Sequence, residues 1–245
     1  MLVKHPHYYT DDSILNPLIN DQKDYTQYIC LCGANGSGRD VLLKQIERSF
    51  SAKHLEDFFH DDIEHLAFAA KDIGLLLEYP EEQMLDMNVL FNVMNSLFTF
   101  NYTLSNTHRK ASDALTFVGI KPEDFRKDPR SLSLYEQRKM ILASFLAIDT
   151  KIIIIDNPTA DLNENEKEDL VHLLYELNTS KNRTVIMLTS HAHDIMNFTD
   201  QVFGFKDGQL SLLGKPSEYH DHPSPLSHQE EEVLHEIIYH AEIDL

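Results

Sequence analysis

Nowhere in its 245 residues does this chain hold an apolar run approaching the ~20 residues that cross a bilayer. Its opening, Met1 to Asp12, is polar and rich in His and Tyr, unlike a charged-then-apolar leader, so a soluble, cytoplasmic protein is expected. Basic residues are scarce: 21 Lys and Arg stand against 40 Asp and Glu, a formal net charge of -19. Binding to a phosphate backbone relies on cations that release counterions, so nucleic acid is excluded as the expected partner. Cysteine is almost missing. Cys30 and Cys32 lie two apart in an apolar run, which puts them on one face of one strand and opposes a disulfide of standard geometry. They read as small buried hydrophobes, since a metal site would need two further ligands.

What is present is enough chain to bury the core of one large α/β domain. Three short apolar runs, Gln27 to Cys32, Lys151 to Ile155 and Thr184 to Leu188, are rich in β-formers and separated by helical sequence, the pattern of a parallel sheet. Ser133 followed by Glu136 is a capping box ahead of Met140, Ile141, Leu142, Phe145 and Leu146. A second helix after Asn163 repeats Leu170, Leu173, Leu174 and Leu177. Val202 to Phe205, an Asp207-Gly208 turn and Leu210 to Leu213 predict a hairpin. After Pro223 a capped amphipathic helix begins at Ser227 and Glu230, with Val233, Leu234, Ile237, Ile238 and Ala241 on one face. His220, His222, His228, His235 and His240 put no convincing set on one helix face, so no metal is expected there.

The strand ending at Cys32 runs into Gly33, Ala34, Asn35, Gly36, Ser37, Gly38, Arg39 and Asp40, and then into the apolar start of a helix. Such a loop aims backbone N–H groups and a helix N-terminus at phosphate oxygens. Arg39 stands where the phosphate loop normally has a compact Lys, and Asp40 where a Ser or Thr hydroxyl binds Mg²⁺. Asp40 can bind Mg²⁺, occupy the anion position itself, or pair with Arg39. Taken alone, the segment leaves open a phosphate cradle or a glycine-rich turn without a ligand.

Further motifs follow in a fixed order, and together they resemble those of ATP-binding cassette (ABC) ATPases. Gly74 to Gln83 resembles the Q-loop in the wording of energy-coupling factor transporter ATPases, with Glu78 in place of its Gln. Leu132, Ser133, Leu134, Tyr135, Glu136, Gln137 and Arg138 resemble the signature, with Leu134 and Tyr135 replacing both glycines. Side chains there should obstruct the approach to a nucleotide held by an opposite subunit. Asp156-Asn157-Pro158-Thr159 resembles the Walker B end, where Asp156 keeps the Mg²⁺-directed carboxylate. Asn157 takes the place of the Glu that polarises the attacking water, and an amide cannot serve as general base. Ala160-Asp161-Leu162 resembles the D-loop, Ser190-His191 the switch His, and Tyr9, or equally Tyr8, the aromatic stacked on adenine.

The resemblance implies an α/β fold of the P-loop NTPase, ABC-type ATPase kind. Its parts are a parallel sheet, a reduced antiparallel β part, a helical subdomain at about 83–146 inserted in the domain 1–222, and a C-terminal helical extension over 223–245. It implies ATP and Mg²⁺, held by Tyr9, Asn35, Gly36, Ser37, Gly38, Arg39, Asp40, Ser133, Gln137, Asp156 and Asp161, with Glu78, Asn157 and His191 at the catalytic positions. The expected partners are a second ABC subunit, identical or not, and an integral membrane transporter subunit, bound through about 83–146 at the inner face of the membrane. The altered residues add the expectation of slow or absent hydrolysis. The alternative is a pseudo-ATPase that pairs with another ABC subunit as a structural or regulatory module. A role in DNA repair or chromosome maintenance is opposed by the acidic charge and by the lack of a coiled-coil insertion between Glu78 and Leu132.

Overall fold

Strand residues point alternately to the two faces of a sheet, so a strand buried on both faces must be apolar at every position. The computed structural model of the chain describes residues 27–32, 43, 72–100, 102–189, 198–206 and 209–214. Strands β1 (Tyr28–Cys32), β2 (Ile73–Leu76), β3 (Ile152–Asp156), β4 (Thr184–Thr189) and β5 (Gln201–Lys206) run parallel, and β6 (Gln209–Gly214) pairs antiparallel with β5. Across the sheet the order is β2-β3-β4-β1-β5-β6. The three runs predicted as buried strands are β1, β3 and β4, and they lie side by side at its centre.

Alternation divides these strands between two apolar clusters. Tyr28, Cys30, Cys32, Ile153, Ile155, Val185 and Met187 share one cluster with the helices. Ile29, Leu31, Ile152, Ile154, Ile186 and Leu188 join Leu43 and Leu75 in the other. The cysteines therefore fall on one face, as their spacing predicts, with the two sulfurs 3.0 Å apart and both thiols free.

Four helices are described: α1 (Val89–Thr99), α2 (Leu104–Phe117), α3 (Leu134–Ala147) and α4 (Glu164–Lys181). Ser133 and Glu136 form the predicted capping box at α3, and Asn163 and Glu166 form another at α4. α1, α2 and α3 pack on one another, and α3 also reaches β2, where Gly74 leaves room for the Phe145 ring. Asn92 of α1 accepts from the Leu85 N–H at 2.7 Å and donates to Met87 O at 3.1 Å, fastening the preceding loop to the helix. Sequence pattern missed β2, three of whose four residues stand inside the segment quoted as a loop motif. It also gave no boundaries for α1 and α2.

The hairpin strands agree with β5 and β6, while their turn at Asp207 and Gly208 lies outside the described residues. Outside them too lie the glycine loop from Gly33 to Asp40, most of the segment expected to hold a reduced antiparallel β part, and the extension over 223–245. Among the described residues no helix is long and apolar enough to cross a membrane.

Candidate functional site

The C-terminal ends of β2 and β3 are in register, with Leu76 paired to Ile155, so Glu78 and Asn157 each stand two residues beyond a paired position. Ligands of open parallel sheets bind at this edge. Asp156 closes β3 and is half-buried. Directly after it, Asn157 turns the chain in the left-handed region, with φ 42°. Asn is one of the few residues other than glycine that visits this region readily. Its N–H donates to Leu188 O of β4 at 2.8 Å, and its carbonyl accepts from Ala160 N–H at 3.1 Å, which closes a short turn.

The Asn157 side chain is buried, and its Nδ2 donates to Glu78 Oε2 at 2.7 Å. A carboxylate acceptor makes this a charge-assisted bond, shorter and stronger than one between neutral groups. The amide oxygen of Asn157 is buried and accepts no hydrogen bond from the described residues. Both departures from the resembled pattern in this region thus meet in one contact.

Arg138 of α3 organises the backbone around that contact. Its side chain is almost wholly buried, at 1% exposure, yet Nη1 donates to Pro158 O at 3.0 Å and Ala160 O at 2.7 Å, while Nη2 donates to Glu78 O at 3.1 Å. One guanidinium therefore joins the signature-like helix to the Glu78 segment and to the turn after β3, using the fork geometry that Lys lacks. Burial pushes the Arg138 pKa down, and the negative charges of Glu78, Asp161, Glu81 and Asp156 oppose that shift. Gln83 ends the 3-10 turn Pro80–Gln83 and fastens the same segment: its Oε1 accepts from Leu77 N–H at 2.9 Å and its Nε2 donates to Leu75 O at 2.7 Å. Neither Arg138 nor Gln83 was a candidate from sequence. Arg138 bonds carbonyls of other segments and Gln83 the backbone of its own, which residue type and spacing do not reveal; with Glu136, Gln137 and Lys139 around it, Arg138 reads as part of a polar helix face.

The α3 N-terminus forms a separate group. Ser133 Oγ accepts from Glu136 N–H at 3.2 Å, and the Glu136 carboxylate returns to the Ser133 N–H at 3.0 Å, so the helix start carries its own anion. Leu134 and Tyr135 pack in part against the apolar cluster instead of standing free. The Tyr135 ring lies 4.5 Å beneath the Lys139 ammonium, which also donates to Gly119 O at 3.4 Å. Burial lowers the Lys139 pKa, against the pull of Glu136 and Asp169. Gln137 donates to Leu132 O at 3.1 Å. Asp161 is exposed, with φ 58°.

The structure thus brings Glu78, Asn157 and the Arg138-held turn together beside Asp156. Tyr9, Asn35, Gly36, Ser37, Gly38, Arg39, Asp40 and His191 lie outside the described residues. Among the described residues no group of three or more His, Cys, Asp or Glu could hold a metal ion. Mg²⁺ requires less of the protein: it keeps several waters and binds through one or two carboxylates together with substrate phosphates. The hard oxygen donor of Asp156, at the sheet edge that collects ligands, fits a cation bound in that way.

Comparison with known proteins gives consistent matches. The family described as "ABC transporter" matches residues 22–160. The energy-coupling factor transporter ATP-binding protein EcfA2 of Staphylococcus epidermidis is 27% identical over 197 residues, covering 78% of this chain and 69% of that protein. Its counterpart in Streptococcus agalactiae is 27% identical over 207 residues, covering 82% and 74%. Among solved structures, cbiO1 from Clostridium perfringens, part of the ABC transporter complex cbiONQ, superposes with a TM-score of 0.66 at 22% identity, over 80% of this chain and 79% of that one. The dimeric post-hydrolysis state of the ATP-binding cassette MJ0796, bound to ADP and Pi, gives 0.60 at 19% identity, over 78% and 88%. At these identities the structural matches establish the fold.

Proposed function

The chain belongs to the ABC transporter family, and from that premise we propose that it is an ATP-binding subunit of a membrane transporter of the energy-coupling factor kind, with weak nucleotide binding and slow hydrolysis. It pairs with a second ABC subunit and works at the cytoplasmic face of the membrane, docked on an integral membrane subunit. The transporter class is supported by the names of the relatives, which are energy-coupling factor ATP-binding proteins. Pairing is supported by the dimeric cassette that shares the fold.

One observation carries the ATP reading. Asp156 ends a central strand whose other four residues are buried, at the ligand edge of the parallel sheet and beside two further polar side chains that are bonded to each other. Asp156, with Asp40 from the glycine loop, would hold Mg²⁺, whose contribution when bound is to neutralise charge developing on the transferring phosphoryl oxygens. Arg138 holds the surrounding backbone in place. Slow hydrolysis is expected because the Asn157 amide cannot take a proton where the resembled pattern has a Glu, so that a base must act from another position in the site. Leu134 and Tyr135 act in the same direction by putting side chains where a partner's nucleotide meets backbone in an ABC pair.

Calorimetric titration of the purified chain with ATP and Mg²⁺ tests the binding claim. A dissociation constant of roughly 0.1–1 mM is expected, with a thermal midpoint that rises as ATP is added. No heat and no thermal shift at millimolar ATP would contradict it and leave the pseudo-ATPase module, a structural or regulatory partner of another ABC subunit.

A further inference from the structure

We propose that Glu78 is the carboxylate that holds and polarises the attacking water in this site, and that Asn157 is the positioning residue that orients it. The inference rests on the ATP reading above and deepens it. Position 157 carries an amide, which can donate to a carboxylate and accept from water but cannot accept the water's proton. It uses its donor on Glu78 at 2.7 Å, and its buried oxygen accepts nothing from the described residues. Buried acceptors of this kind suit an ordered water. A single water can place one O–H on the Asn157 oxygen and the other on the Glu78 carboxylate.

Glu78 is held for such a task at two points. Arg138 fixes its carbonyl at 3.1 Å, and Asn157 fixes one carboxylate oxygen, leaving the other for water. The Asn157 end is equally constrained, because its backbone N–H is bonded to β4 and its φ of 42° suits Asn better than a longer side chain. In the reaction the water oxygen bonds to the terminal phosphorus, and the bond from that phosphorus to the bridging oxygen breaks with its electron pair on the departing diphosphate. The water's proton passes to Glu78 and from there to the released phosphate. Carboxylate and amide are thus both present in the site, with the carboxylate arriving from the β2 side and not from the end of β3.

Isosteric variants of the full chain test the two halves separately. In thermal unfolding, Asn157→Asp sets carboxylate against carboxylate and should lower the midpoint by about 2–4 °C. The double variant Glu78→Gln with Asn157→Asp exchanges donor and acceptor and should return it to within about 1 °C of the wild type. Simple addition of the two single effects would overturn the pairing. In single-turnover measurements, Glu78→Gln should keep the calorimetric affinity for Mg-ATP within about twofold and slow hydrolysis by about 100-fold. Unchanged hydrolysis in Glu78→Gln, or a wild type that binds ATP and never cleaves it, would overturn the water-holding role. A wild type that binds no ATP would overturn the nucleotide reading and this role with it, while the unfolding result would still report on the pair.

Discussion

Tyr28 and Cys30 lie in β1 with no exposed surface, and burial raises the pKa of both groups above their ordinary values. Among the described residues the Tyr28 hydroxyl has a single, sulfur partner, Met187 Sδ at 3.4 Å, and the Cys30 thiol has that of Cys32. Because the folded chain holds these protons to a higher pH than the unfolded chain, their contribution to stability is full below about pH 8 and falls as pH rises past the ordinary thiol and phenol values. Urea unfolding is therefore expected to show a lower midpoint at pH 10 than at pH 7.5, with a smaller drop in Tyr28→Phe. Equal drops in the two proteins would show that the Tyr28 phenol contributes nothing to the alkaline loss. Arg138 shows the opposite solution to burial, a cation kept because three carbonyls surround it. Its removal would leave those acceptors to find water in a closed interior.

At the scale of elements, β2 and α3 constrain each other closely. A Cβ placed at Gly74 would lie 2.7 Å from Phe145 ring carbons, closer than packed atoms allow. Gly74→Ala should therefore cost about 1–3 kcal/mol through overpacking, measured by denaturant unfolding, and Phe145→Leu in the same chain should recover part of it. A neutral Gly74→Ala would mean that the ring moves freely. This contact also marks where sequence reading ends. β1, β3 and β4 were legible because they are buried on both faces and so are apolar without a break. β2 was not, since four residues carry too little pattern and Gly74 is there for a helix that lies distant in sequence. α3 was legible from its capping box, whereas Arg138 looked like the ordinary polar side of a helix until its carbonyl partners were in view. The Glu78 and Asn157 positions were each legible as departures from a resembled motif. That they answer one another was not, because 79 residues separate them and only the parallel pairing of β2 with β3 brings them together.

Over the whole molecule, the net charge of -19 suits a partner that is protein and not a phosphate backbone. The sheet supplies a rigid edge, the helices α1, α2 and α3 form a packed group beside it, and Arg138 joins the two at the site. The family and the fold are fixed by the match over residues 22–160 and by the superposed cassettes. The expectation of slow hydrolysis rests on local chemistry: an amide at Asn157 and side chains at Leu134 and Tyr135. The most direct measurement is steady-state Mg-ATP hydrolysis by the purified chain beside its Asp156→Ala variant. Turnover below about 1 s⁻¹, the low end of the ordinary enzyme range, and lower still in the variant, is the expected result. Rapid turnover abolished by Asp156→Ala would contradict it.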